Sequence, residues 1–188
     1  ETIHRQASLL INMVNELLDL ARIEARQGKD FRITEQTLGP LLEETVGALM
    51  VHGDPRKVAV RIDHGELRLM VDRDKTRQAV TNVLSNAYKY SPGGGPIRLH
   101  TLAAEFDGRS HVGVAVTDSG IGMTAAQKAR LFERFYRADP SGNIPGTGLG
   151  MCLVQEIMDL QDGRIDVDSE PGIGTRVTLW FPLAEVAR

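Results

Sequence analysis

The residues best suited to chemistry begin in the stretch Asn82-Val83-Leu84-Ser85-Asn86-Ala87-Tyr88-Lys89-Tyr90. Val80, Val83, Leu84 and Ala87 fall at i, i+3, i+4, i+7 and form an apolar stripe of helical period. Asn82, Asn86, Lys89 and Tyr90 fall on another side. A solvated helix face ordinarily carries Glu and Lys, and two Asn one turn apart are poor helix formers. Their amide carbonyls are hard oxygen donors, with a lysine one turn further on. That set suits a magnesium ion bound to phosphates. An ordinary polar surface is the competing reading of this stretch alone.

Three further segments look unlike scaffold. Asp118-Ser119-Gly120-Ile121-Gly122 follows an alternating strand pattern. A carboxylate at a strand end accepts a hydrogen bond from the exocyclic amine of adenine, where guanine presents an oxygen. Glycines beside it admit a flat ring, although a tight turn is the more ordinary reading of this motif alone. In Phe132-Glu133-Arg134-Phe135-Tyr136-Arg137 the aromatics at i, i+3, i+4 read as core packing. The arginines there can reach a terminal phosphate. Gly146-Thr147-Gly148-Leu149-Gly150 opens a helix, and glycines there let successive backbone N–H groups face an anion. No Gly-Lys-Ser/Thr follows, and no βαβ unit starts the chain, so neither the phosphate loop nor the dinucleotide fingerprint is present.

The elements that must position these groups are readable in outline. Residues 1–27 form one helix with an apolar seam, Ile3, Ala7, Leu10, Val14, Leu17 and Ala21, widened by Leu9, Ile11, Met13 and Leu18. Such a face wants several partners, as in a helix bundle or dimer; a helix packed on its own domain is the competing reading. Gly28 ends it. A short strand holds Phe31 and Ile33, and a helix runs from Pro40 to about Val51. Gly53-Asp54-Pro55 is a turn. Val58, Val60 and Ile62 alternate as a strand, as do Leu67, Leu69 and Val71, with the His64-Gly65 turn between. Asp72 caps the helix that carries the two asparagines, and Ser91–Pro96 ends it. Strands at 97–105 and 112–117 are joined by Phe106-Asp107-Gly108-Arg109. Residues 124–136 have a helical pattern, 137–147 have none, and 149–160 are helical again. Strands at 164–169 and 174–181 close the chain around Glu170-Pro171-Gly172. The class is α+β, preceded by one long bundle-forming helix.

The totals exclude several classes. A chain of 188 residues, 41% hydrophobic and 25% charged, is an ordinary soluble domain with an appendage. The net charge of −3 gives no reason to expect nucleic acid. No apolar run is long enough to span a membrane, and no secretory signal opens the chain. One cysteine, Cys152, rules out an internal disulfide and fits a reducing cytosol. The first residue is Glu, so a piece of a longer chain is expected.

In order and spacing the four segments resemble the N, G1, F and G2 boxes of sensor histidine kinases, at Asn82–Tyr90, Asp118–Gly122, Phe132–Arg137 and Gly146–Gly150. Leu17-Leu18-Asp19-Leu20-Ala21-Arg22-Ile23-Glu24 resembles the end of the second helix of their dimerisation domain. The resemblance covers essentially the whole chain. The wider superfamily includes DNA gyrase and MutL and has the Bergerat ATP-binding fold, a two-layer α/β sandwich with a mixed sheet.

The resemblance implies a boundary: residues 1–28 as part of the dimerisation and phosphotransfer domain, 29–188 as the ATP-binding catalytic domain. It implies ATP and magnesium as cofactors. Asn86, with Asn82 near it, matches the metal position. Lys89 and Tyr90 match residues near the phosphates and nucleotide, and Asp118 matches the adenine-reading carboxylate. Gly120 and Gly122 match the close-approach glycines, and Arg137 a lid-side arginine. Gly146, Thr147, Gly148, Leu149 and Gly150 match the phosphate-cradling end of a lid spanning 137–147. Asn82, Lys89 and Arg137 are the catalytic candidates. Gyrase and MutL carry glutamate at the position of Asn82. Asn is no general base, so the resemblance implies phosphoryl transfer rather than hydrolysis. The acceptor histidine of the family is absent: His4 is followed by Arg5 without the expected Pro-Leu, and His52, His64, His100 and His111 lie in turns, a strand and a loop. The implied partners are the chain's own dimerisation domain, with an upstream acceptor histidine in a homodimer, and a response-regulator receiver domain, all in a bacterial cytoplasm. A non-catalytic nucleotide-binding signalling module of the same fold is the alternative. An ATPase clamp and an anti-sigma-type serine kinase fit less well, because of Asn82 and the leading helix.

Overall fold

The computed structural model describes residues 2–49, 54–138, 144 and 146–184, with the backbone alone at 2–6, 8 and 9. The leading helix, α1, runs Thr2–Arg26 and stops where Gln27 and Gly28 turn left-handed, at φ 46° and 73°. Among its described side chains Leu20 and Ile23 are buried, and it packs on the later helix α5 (Gly150–Asp159). Its seam is uncovered: Leu10, Ile11, Val14, Leu17 and Leu18 are all exposed.

Strand β1 (Ile33–Thr37) leads into α2 (Leu38–Ala48), which starts before Pro40. That placement puts the proline in the first turn, where its missing N–H is no loss. Strands β2 (Val58–Arg61) and β3 (Arg68–Asp72) flank the His64-Gly65 turn but do not pair. β3 joins β1 antiparallel, whereas β2 runs parallel to β4 (Ile97–Phe106). The turn is pinned instead to α2: the Gly39 N–H donates to the Gly65 carbonyl at 2.8 Å. A Cβ on Gly39 would stand 3.0 Å from that oxygen.

The main sheet has the order β2-β4-β5-β7-β6, with β5 at Arg109–Thr117, β6 at Arg164–Glu170 and β7 at Gly174–Pro182. Only β2 and β4 are parallel, so the sheet is mixed. Asp107 and Gly108, both left-handed, make the tight β4–β5 turn. The alternation along the strands gives one apolar face: Ile97 and Leu99, Val112, Val114 and Val116, then Val177, Leu179 and Phe181, all buried. Helix α3 (Arg73–Lys89) and α5 cover it. The result is the expected two-layer α/β sandwich. On the opposite face Trp180 lies over Gly113, and its indole N–H donates to Asp166 at 2.8 Å.

The 124–136 helix is much shorter than its pattern. Only α4, Ala125–Ala129, is helical, opened by a reciprocal Thr124–Gln127 capping box. Beyond it Phe135 turns to φ 62° and stands exposed, so the spaced aromatics are not one core face. His111, expected in a loop, is a buried strand residue of β5. His52, Val51 and Gly53 lie outside the described residues, as do lid positions 139–143 and 145.

Candidate nucleotide site

α3 supplies one wall. Asp72 accepts from the Lys75 N–H at 2.9 Å and so caps its first turn. Val80, Val83, Leu84 and Ala87 are buried against the sheet as their spacing predicts. With that face fixed, Asn82, Asn86, Lys89 and Tyr90 all line a cleft. The cleft holds about 1060 Å³ of empty space, open solvent at its mouth included.

The Asn82 amide of α3 is placed for oxygen donation. Asn82 Nδ2 is directed at the Gly150 carbonyl at 3.5 Å. A carbonyl only accepts, so the nitrogen must face it and Oδ1 is left for another partner. Among the described residues no group of three His, Cys, Asp or Glu could cage a metal. Magnesium brought in by phosphates fits this donor set, because it keeps ligands from phosphate and water and takes few from protein.

Asp118 stands at the end of β5, buried in the opposite wall. Its Oδ1 accepts from the Gly120 N–H at 2.8 Å and the Thr175 N–H at 3.3 Å. Oδ2 has no hydrogen-bond partner among the described residues. Burial pushes its pKa up from 3.8; the two backbone N–H groups and the Arg56 charge pull in the opposite direction. A desolvated carboxylate with a free oxygen is a strong acceptor for a ring amine.

The glycines around it serve the chain before they serve a ligand. A Cβ on Gly120 would strike the Tyr90 carbonyl, and one on Gly122 would strike that of Glu170. Gly122 is also left-handed, at φ 63°. Tyr90 in turn accepts from the Ile121 N–H at 2.9 Å, locking the end of α3 to this turn. Arg56 secures the same junction. It donates to the Ser91 and Tyr88 carbonyls at 3.0 and 3.3 Å while paired with Asp54 at 2.5 Å. That pairing holds the Asp54 carboxyl below its usual range.

The remaining predicted residues divide. Gly122, Gly146, Thr147, Gly148 and Gly150 line the cleft. Gly120 does not, being pressed on Tyr90. Leu149 packs in a small core with Leu20 and Cys152. Arg137 is not on the wall either: its guanidinium donates to the Ile144 carbonyl, and its Nε is buried without a partner. Sequence reasoning missed the apolar lining, Val116, Ile121, Met123, Met151 and Val177. It also missed Tyr136 as a lining residue, Thr175 as the backbone partner of Asp118, and Glu16, which reaches the cleft from α1.

A family described as histidine kinase-, DNA gyrase B-, and HSP90-like ATPase matches residues 71–185. The chain belongs to that family. Within this ATPase family its relatives are sensor histidine kinases. It is 34% identical over 189 residues to sensor histidine kinase TmoS of Ectopseudomonas mendocina, covering 97% of this chain and 19% of that protein. It is 33% identical over 180 residues to sensor-like histidine kinase SenX3 of Mycobacterium tuberculosis, covering 94% of this chain and 43% of that one. The chain thus spans less than half the length of these relatives. The crystal structure of full-length ShkA in complex with AMPPNP superposes with a TM-score of 0.80 at 26% identity, over 100% of this chain and 39% of that one. Among the described residues no helix is long and apolar enough to cross a membrane.

Proposed function

We propose that the chain is the ATP-binding part of a protein-histidine kinase, carrying the γ-phosphoryl group to a histidine outside residues 1–188. The observation that carries this reading is the convergence of Asn82, Asn86, Lys89 and Asp118 on one cleft. Asp118 Oδ2 accepts from the adenine amine, and Val116, Ile121 and Met123 bury the ring. Lys89 and the backbone N–H groups of Gly146–Gly150 hold the phosphates, with the α5 N-terminus adding its positive end. Asn86 and Asn82 are the residues that would hold magnesium, and the ion would offset charge on the phosphoryl group. Asn82 cannot take a proton from water, so no residue at that position drives hydrolysis. Arg137 acts only if it leaves Ile144. Its unpartnered Nε favours such a move, because a buried unsatisfied donor is unfavourable where it stands.

The uncovered apolar seam of α1 supports assigning residues 1–28 to the dimerisation and phosphotransfer domain and 29–188 to the catalytic domain. A second copy would cover that seam in a homodimer. The acceptor histidine then lies on the other helix of that domain, and a response-regulator receiver domain takes the phosphoryl group from it. ATP and such a regulator place the chain in the cytoplasm, whether or not its parent is membrane-anchored.

The test is a chain extended upstream through the first dimerisation helix and incubated with labelled ATP. An acid-labile label on histidine is expected. Binding without labelling would favour a non-catalytic nucleotide module. Absence of ATP binding would remove the reading altogether.

A further inference from the structure

The phosphate end of the cleft is not built by the ATP-binding domain alone. Glu16, on α1, lines it. The Thr147 hydroxyl donates to the Glu16 carboxylate and accepts from the Leu149 N–H at 3.2 Å. Thr147 lies between two glycines directly before α5, at the helix end that attracts anions. A carboxylate of the chain itself therefore occupies the place where an anion is favoured. Two further acids of the same helix hold it there. Asp19 accepts from the Gln78 side chain of α3 at 2.9 Å, and Glu24 pairs with Arg134. Met13 and Leu20 of α1 pack beside them against Leu149 and Cys152.

We propose that Glu16 is a charge gate on the nucleotide site: an internal stand-in for phosphate, which an incoming polyphosphate must repel or displace. The inference rests on the nucleotide reading above. Glu16 and the phosphates are both anionic and compete for the Thr147 hydroxyl and the α5 N-terminus. The opposition grows with the number of phosphate charges. It vanishes for a ligand with a base and sugar only. Because Glu16 belongs to α1, nucleotide affinity becomes a measure of whether that helix is docked. Conversely, a bound triphosphate loosens the helix.

The test is calorimetric titration of the 188-residue chain and its Glu16→Gln variant with adenosine, ADP and ATP, each with magnesium. Gln keeps the length and the ability to bond Thr147 but removes the charge. Glu16→Gln should tighten ATP at least about threefold and ADP less, and leave adenosine unchanged. The gap should shrink at high salt, since repulsion between partly exposed charges is screened. Equal shifts for all three ligands would indicate a structural effect and overturn the gate. So would no shift for ATP, or a change seen with Glu16→Ala but not with Glu16→Gln. Weaker ATP binding in Glu16→Gln would overturn it in the other direction, making Glu16 a support for the cation. Wild type that binds none of the three ligands would instead defeat the nucleotide reading on which the gate depends.

Discussion

The two sides of the cleft are held by different kinds of force. On the Asp118 side, backbone locks to backbone. The end of α3, the Gly120–Gly122 turn and the β6–β7 turn touch without side chains between them, and the wall behind is buried aliphatic packing. On the lid side, Thr147 is held by a polar contact to Glu16 of α1, and Phe135, a bulky residue in the left-handed region, meets Gly148. The Phe135 N–H donates to the Gly148 carbonyl at 3.0 Å, and a Cβ on Gly148 would stand 2.6 Å from the Phe135 carbonyl carbon. A wall built by close packing has one arrangement, whereas one built by replaceable polar contacts has several. Asp118, the proposed base-reading group, sits on the first, and Gly146–Gly150, the proposed phosphate cradle, on the second.

The widest separation between the two sides should appear in stability. Leu84→Ala, in the fully buried stripe of α3, should destabilise the chain by about 2–5 kcal/mol in denaturant unfolding. Gly122→Ala should follow at about 2 kcal/mol or more, from its positive φ and the Glu170 carbonyl in its way. Gly146→Ala is the matched control on the lid. No atom lies within 4 Å of its added Cβ, so unfolding should be unchanged while ATP affinity drops. Equal destabilisation by both glycine replacements would erase the distinction.

Asp118 separates binding from stability on one side chain. Its pKa is raised in the fold, so ionising it opposes folding. That penalty is present above the folded pKa and disappears as pH falls through it. Binding has the opposite sign, because the adenine amine needs the carboxylate. ATP affinity should therefore fall on acidification through Asp118's raised pKa, at a pH above its ordinary 3.8, while that residue's penalty on the fold is relieved. Calorimetry and melting across the same buffers check both. A gain in stability is expected on the lid: Phe135→Gly should raise it by about 1 kcal/mol in denaturant unfolding by removing the left-handed strain.

The rigid side was largely legible in the sequence. The stripe on α3, the Asp72 cap and the position of Asp118 after a strand are local patterns, and each survives folding. Partnership was not legible. Val58–Ile62 and Leu67–Val71 alternate like a hairpin across His64-Gly65, yet they enter different sheets, because alternation states that a face is buried and not which strand lies beside it. The glycines beside Asp118 read as room for a ring, whereas the carbonyls of Tyr90 and Glu170 are what exclude a side chain. The lid side misled more. Phe132, Phe135 and Tyr136 have helical spacing, but Phe135 turns outward and Tyr136 faces the cleft, with Arg130 stacked 4.2 Å from its ring centroid. Glu16 reads as one acid on a bundle helix, since nothing local announces a contact with Thr147, 131 residues away.

The most direct measurement is a titration of the chain and of Asp118→Asn with ATP and with GTP. The wild-type chain should bind ATP and reject GTP, because guanine presents an oxygen to the carboxylate. Asp118→Asn should lose about 10–100-fold in ATP affinity, the worth of a hydrogen bond to a charged group, with no loss of thermal stability. Unchanged ATP affinity in Asp118→Asn, or equal binding of ATP and GTP by the wild type, would contradict the assignment of this cleft as an adenine site.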